Sequence, residues 1–131
     1  MPKLSYLKTE DTVLIIGTAR ARNKEALSPA IQTLESWGFK VEVGKNLFKI
    51  HHQFAGTDEQ RADDLQWAIN HPKAKAVIIA GGGYGTMRII DKVNFKSLSK
   101  FPKWFVGYSD TTVLHARLLK QKVKCIHGTM A

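Results

Sequence analysis

Two short stretches of this 131-residue sequence place reactive residue types at the end of an apolar run. Gly107-Tyr108-Ser109-Asp110 follows Trp104-Phe105-Val106 and precedes an amphipathic stretch from Thr111 to about Lys120. A hydroxyl at such a bend is either a nucleophile or a helix cap, because Ser and Asp are both favoured N-cap residues. The free N–H groups and dipole of the following helix favour negative charge there. The setting is that of a nucleophile elbow, although the residues do not spell G-x-S-x-G. The second stretch, Gly81-Gly82-Gly83-Tyr84-Gly85, follows the apolar run Ala76-Val77-Ile78-Ile79-Ala80. Glycines at a strand-to-helix turn let main-chain N–H groups approach a phosphate or an oxyanion. A turn that needs positive φ explains one glycine, not four in five residues. No Gly-Lys-Ser/Thr follows, and the spacing is not the dinucleotide fingerprint.

A serine nucleophile needs a base and a group that orients the base. His115 lies six residues along the same predicted helix, about 9 Å further up its axis, and is expected to be a packed helical residue. His127 follows the last predicted strand, on the correct edge of the sheet, and could approach. His51 and His52 fall in a connection without periodicity and are expected to be exposed. No pair of histidines has metal-binding spacing on a helix, so no metal is expected.

The elements that must position these residues follow from periodicity. Val13-Leu14-Ile15-Ile16, Ala76–Ala80 and Trp104–Val106 are continuous apolar runs, as in strands covered on both faces. Phe39–Val43 alternates, and Val123–Ile126 is the last predicted strand. A helix is predicted from an N-cap at Ser28, with Pro29 at its first position, to Trp37, where Gly38 stops it. Thr57-Asp58-Glu59-Gln60 fits a capping box, and Pro72 ends the helix behind it. A short helix through Met87, Ile89 and Ile90 follows the glycines, and Asn94–Pro102 reads as a loop or short helix. Strands alternating with helices imply one α/β domain: an open, mainly parallel sheet with helices on both faces, a flavodoxin-like or Rossmann-like three-layer arrangement.

Composition bounds the function class. No apolar run approaches the roughly 20 residues of a membrane span, so no membrane partner is expected. One cysteine, Cys125, excludes an internal disulfide framework and a thiolate metal cluster. With no secretory pattern at the N-terminus, the expectation is a cytoplasmic protein. Net charge is +9, of which residues 86–131 contribute +7. A basic surface attracts anions, but these lysines are scattered and lack interleaved aromatics, so nucleic acid is not the expected partner. The sequence stops at Met130-Ala131, directly after a strand and a His-Gly turn, as expected of one domain of something longer. Uncovered apolar surface on such a domain is expected to pair with another copy.

Taken together, "AGTDEQRADDLQWAI", "GGGYGTMRII", "KWFVGYSDTTVLHARLL" and "HGTM" resemble the LD-carboxypeptidase family in order and spacing. These are the serine peptidases of murein recycling, which also include the microcin C immunity proteins. The resemblance covers nearly the whole chain. It implies that residues 1–131 are the N-terminal, nucleophile-bearing domain of a two-domain, usually homodimeric enzyme, with the C-terminal domain absent. It implies Ser109 as nucleophile, the backbone amides of Gly82 and Asp110 as oxyanion hole, and Gly83 and Tyr84 at the substrate. The family's remaining triad members, a glutamate and a histidine, lie in the C-terminal domain, so His127 would mark the crossover between domains. The implied reaction is hydrolysis of the amide before a C-terminal D-amino acid of a muropeptide, without a cofactor, and the chain alone is expected to be inactive. The rival readings are a microcin C-type amidase domain and a non-catalytic α/β module binding an anion or nucleic acid. Tyr84 is more like the murein branch. Two departures bear on substrate preference. Gly81 stands where the family commonly has an arginine, and Gly17-Thr18-Ala19-Arg20 replaces a turn that usually contains proline and serine.

Overall fold

The computed structural model describes residues 3–131. Five strands form one parallel sheet: β1 (Thr12–Ile16), β2 (Lys40–Val43), β3 (Ala74–Ile79), β4 (Trp104–Gly107) and β5 (Ile126–His127). Their order is β2-β1-β3-β4-β5. The helices are α1 (Lys24–Ser36), α2 (Asp58–Asn70), α3 (Thr86–Ile89) and α4 (Thr112–Lys120). Alternating strand residues divide the core in two. Leu14, Ile16, Val77, Ile79 and Phe105 face α2 and α4, packing on Leu65, Ile69, Leu114 and Leu118. Val13, Ile15 and Ala76 face α1 through Leu27 and Leu34. The expected open parallel α/β sheet is therefore present.

The capping box at Thr57 forms as the sequence predicts, with Gln60 N–H donating to Thr57 and Gln60 Oε1 accepting from Thr57 N–H. Helix α2 ends at Asn70, two residues before Pro72. Its final carbonyls are served by Lys103, whose buried ammonium donates to the carbonyls of Ala68, Ile69 and His71 at 2.7–3.0 Å. Burial pulls this lysine down to about 8, while the negative end of the helix favours its charged form.

Two boundaries differ from expectation. Helix α1 begins earlier than Ser28: Asn23 is the N-cap, its side chain accepting from Ala26 N–H at 2.8 Å. Pro29 lies inside the helix, where it removes one early main-chain bond. Leu27, buried against the sheet, holds the additional turn in place. The strand expected at Val123–Ile126 is confined to Ile126 and His127. Val123 belongs instead to the end of α4. Lys122 turns left-handed at φ 58°, and Val123 N–H donates to the Leu118 carbonyl, a Schellman closure.

On the α1 side, an apolar groove of about 300 Å³ runs beside the N-terminal arm, lined by Leu7, Phe39, Ile78, Trp104 and Val106. Among the described residues no helix is long and apolar enough to cross a membrane.

Candidate active site

The predicted site residues meet on one edge of the sheet, at the carboxyl ends of β3 and β4. Strand β4 ends at Gly107. Tyr108 is extended, and Ser109 then turns to φ 59°, the left-handed region that a side chain disfavours. The chain continues through a tight turn, Ser109–Thr111, into α4. Ser109 is exposed. A Cβ placed on Gly82 would lie 3.4 Å from Ser109 Cβ, 3.5 Å from its Oγ and 3.9 Å from Asp110 N. The glycine loop thus runs directly alongside the hydroxyl, and bare backbone leaves the space above it open. Neither Gly82 N–H nor Asp110 N–H has a protein acceptor among the described residues. Gly83 and Tyr84 are exposed at the rim, with the Tyr84 ring 6.3 Å from that of Phe54.

The capping alternative at Gly107–Asp110 does not describe this turn. Neither the Ser109 nor the Asp110 side chain caps α4. The Asp110 carboxylate reaches across to the glycine loop, accepting from Thr86 N–H at 3.0 Å and lying 2.7 Å from Thr86 Oγ1. The Thr86 hydroxyl also lies 2.8 Å from Thr18 Oγ1. A carboxylate only accepts, so the Thr86 proton goes to Asp110 and Thr18 donates to Thr86. The residue whose amide stands beside Ser109 therefore also anchors the start of α3 through its side chain.

The loops meet on Arg61, a residue the sequence reading passes over. Its side chain is buried under the rim, donating to the carbonyls of Thr18 and Gly56 at 3.1 and 2.9 Å and lying 3.5 Å from that of Gly85. It also pairs with Asp58 at 2.8 Å and stacks 4.4 Å over Phe54. The bond to Arg88 holds the Asp58 carboxyl below its ordinary range. At Gly85, φ is 154° and an added Cβ would lie 2.8 Å from Ala19 Cα, so only glycine allows the two loops to approach.

Among the described residues no histidine lies within hydrogen-bond distance of Ser109 Oγ. His115 is buried, its ring 6.1 Å from His127, and burial lowers its pKa. His127 stands at the end of β5 with its ring 6.4 Å from that of Tyr108. Among the described residues, no histidine or carboxylate hydrogen-bonds to Ser109 Oγ. His51 and His52 are exposed. At position 81 a Cβ would lie 2.6 Å from Arg22 Nε, so a larger residue there would displace that exposed side chain.

The strain at Ser109 is measurable. The left-handed conformation costs an L-residue about 1–2 kcal/mol, whereas glycine loses about 0.5–1 kcal/mol more backbone entropy. Ser109→Gly is therefore expected to be more stable than Ser109→Ala by about 0.5–1 kcal/mol, read from urea midpoints. Equal or reversed midpoints would show an unstrained turn.

The chain is 38% identical over 129 residues to a probable murein peptide carboxypeptidase of Bacillus subtilis, covering 98% of this chain and 40% of that protein. It is 30% identical over 120 residues to the murein tetrapeptide carboxypeptidase of Pseudomonas aeruginosa, covering 91% of this chain and 39% of the relative. The crystal structure of a muramoyltetrapeptide carboxypeptidase from Oxalobacter formigenes superposes with a TM-score of 0.82 at 34% identity, over 91% of this chain and 40% of that one. The microcin C7 self-immunity protein shares the fold, with a TM-score of 0.90 at 24% identity over 98% of this chain and 40% of that one. The chain thus spans about 40% of the length of the curated relatives it matches. Residues 13–128 match the model of the LD-carboxypeptidase N-terminal domain, and with the relatives above this shows that the chain belongs to the LD-carboxypeptidase family.

Proposed function

We propose that residues 1–131 are the nucleophile-bearing domain of a serine LD-carboxypeptidase, acting on the amide before the C-terminal D-amino acid of a murein tetrapeptide. The observation that carries this reading is the left-handed turn at Ser109, which brings its side chain and the Asp110 main chain alongside the Gly82 backbone. In the proposed reaction Ser109 Oγ bonds to the scissile carbonyl carbon and gives its proton to a histidine. The carbonyl oxygen becomes an oxyanion held by the N–H groups of Gly82 and Asp110. Collapse of that intermediate breaks the C–N bond, and the histidine returns the proton to the leaving amine. Water then hydrolyses the acyl-serine by the same path in reverse. Gly83 and Tyr84 line the approach.

The histidine and its glutamate partner are proposed to come from a C-terminal domain, since His115 is packed inside and His127 stands beside Tyr108. The 131-residue chain alone is therefore expected to release no D-alanine from a tetrapeptide. The same chain fused to the C-terminal portion of the Bacillus subtilis relative is expected to release it, with chromatographic detection of free D-alanine as the readout. Release by the isolated chain would refute the missing-base proposal, and a folded fusion that is inert would refute the peptidase reading.

Two further parts of the proposal concern setting. Copies of the chain are proposed to associate, on the support of the apolar groove beside Trp104; light scattering reads the mass. A cytoplasmic location is proposed on the support of cysteine usage, a single free Cys125.

A further inference from the structure

The sheet order turns at β1 and β3: the chain passes from β1 outward to β2, then returns to β3 and proceeds the other way. Helices α1 and α2 leave on opposite faces, so the loops after β1 and β3 flank a crevice, the usual ligand position in such sheets. The loop after β3 is the glycine loop. The loop after β1 carries Arg20 and Arg22. Arg20 N–H donates to the Gly82 carbonyl at 3.2 Å, which ties the two loops together.

Both arginine side chains lie along the glycine backbone. A Cβ on Gly83 would stand 3.3 Å from Arg20 Nε, and one on Gly81 would stand 2.6 Å from Arg22 Nε and 3.2 Å from its Nη2. Both residues are exposed. The other arginines have carboxylates: Arg61 and Arg88 share Asp58, and Arg117 meets Asp91. Among the described residues neither Arg20 nor Arg22 has an acidic partner within ion-pair distance. Two unneutralised guanidinium groups thus border the loop that borders Ser109.

We infer that Arg20 and Arg22 hold the terminal carboxylate of the substrate, an inference that rests on the carboxypeptidase reading above. The spacing is that of one residue. In a substrate chain, the scissile carbonyl and the terminal carboxylate belong to consecutive residues, whose Cα atoms are about 3.8 Å apart. In the loop, Gly82 faces Ser109, while the adjacent Gly81 and Gly83 face the guanidinium groups. A carbonyl carbon seated at Ser109 places its carboxylate one residue further, toward the arginines. The planar N–H fork of arginine matches a carboxylate with two parallel bonds, a geometry lysine lacks. A Cβ at 81 would displace Arg22, and the φ of 94° at Gly83 disfavours any side chain there. The two arginines would read the end of a chain and reject an interior peptide bond.

The test is a titration of the isotope-labelled 131-residue chain, followed by amide NMR, with a D-alanine-terminated tetrapeptide and its C-terminal carboxamide. The acid is expected to shift the amides of Gly82, Gly83 and Asp110 and to bind at least about tenfold more tightly than the carboxamide, the scale of one charge-assisted bond. Arg20→Ala and Arg22→Ala are each expected to weaken the acid about tenfold and leave the carboxamide unchanged, with Arg22→Lys in between. Both side chains are exposed, so preserved spectral dispersion is the control for folding. Equal affinity of acid and carboxamide overturns the carboxylate assignment and leaves the peptidase reading intact. Variants that weaken both peptides alike do the same. No response at Gly82 and Asp110 to either peptide overturns both.

Discussion

Ser109→Ala, introduced into the fusion with the C-terminal portion of the Bacillus subtilis relative, is expected to lower the rate of D-alanine release by about four to six orders of magnitude. The size follows from what the substitution removes and what it leaves. It deletes the atom that forms the acyl bond, and with it the two-step path that replaces direct attack by water. It leaves the N–H groups of Gly82 and Asp110, because those donors are main chain. A residual rate of about 10³–10⁴ over the uncatalysed reaction is therefore expected from oxyanion binding and positioning. Peptide binding should persist, since alanine keeps the Cβ on the side of Ser109 that faces the Gly82 backbone. The experiment is a single-turnover assay under saturating peptide, with circular dichroism to confirm that the variant is folded. A folded variant that retains more than about a hundredth of the parent rate would remove Ser109 from the role of nucleophile.

How much of this site can be read from sequence depends on the range of the interaction. Runs such as Ala76–Ala80 and Phe105–Val106 are legible because a strand covered on both faces has no polar alternation. The capping box at Thr57 is legible because both partners lie within four residues. Gly107-Tyr108-Ser109-Asp110 is legible as a bend, but its two meanings separate only in three dimensions. The deciding facts are the φ of Ser109 and the destination of the Asp110 carboxylate at Thr86, 24 residues away. Helix α1 starts before Ser28 because a tertiary contact, Leu27 on the sheet, extends it past a proline. Val123 has the apolar character of a strand residue and is used to close α4. The arginines are the extreme case. Arg20 stands out in the chain only as part of the departing Gly17-Thr18-Ala19-Arg20 turn, and nothing local distinguishes the buried Arg61 from Arg22, which lies over the glycines.

Arg61→Met is expected to destabilise the chain by about 3–5 kcal/mol, a large part of the 5–15 kcal/mol that holds an ordinary domain together. Replacing a buried charge by an apolar residue of similar length is often neutral when both members of an ion pair are removed. Here the partners are mainly carbonyls. Thr18 and Gly56 accept from the guanidinium, and Gly85 stands at its edge. These oxygens belong to the backbone of three different loops and cannot be substituted away. Methionine fills the space and keeps contact with Phe54, yet it leaves them without a donor at about 1–3 kcal/mol each where water is excluded. Asp58 retains Arg88, so its carboxylate is not orphaned. Arg88→Ala, by contrast, breaks a half-exposed pair that solvent screens, and is expected to move the urea midpoint only slightly. Urea unfolding distinguishes the two: a large fall in midpoint with an unchanged slope for Arg61→Met, and a small one for Arg88→Ala. The loop of Gly85 carries Gly82, and the loop of Thr18 bonds to it through Arg20 N–H, so peptide-induced NMR shifts should fade in Arg61→Met even under conditions where the variant remains folded. A loss below 1 kcal/mol would mean that the loops hold their positions without the buried guanidinium, and that the approach of Gly85 to Ala19 is sufficient to set the glycine loop against Ser109.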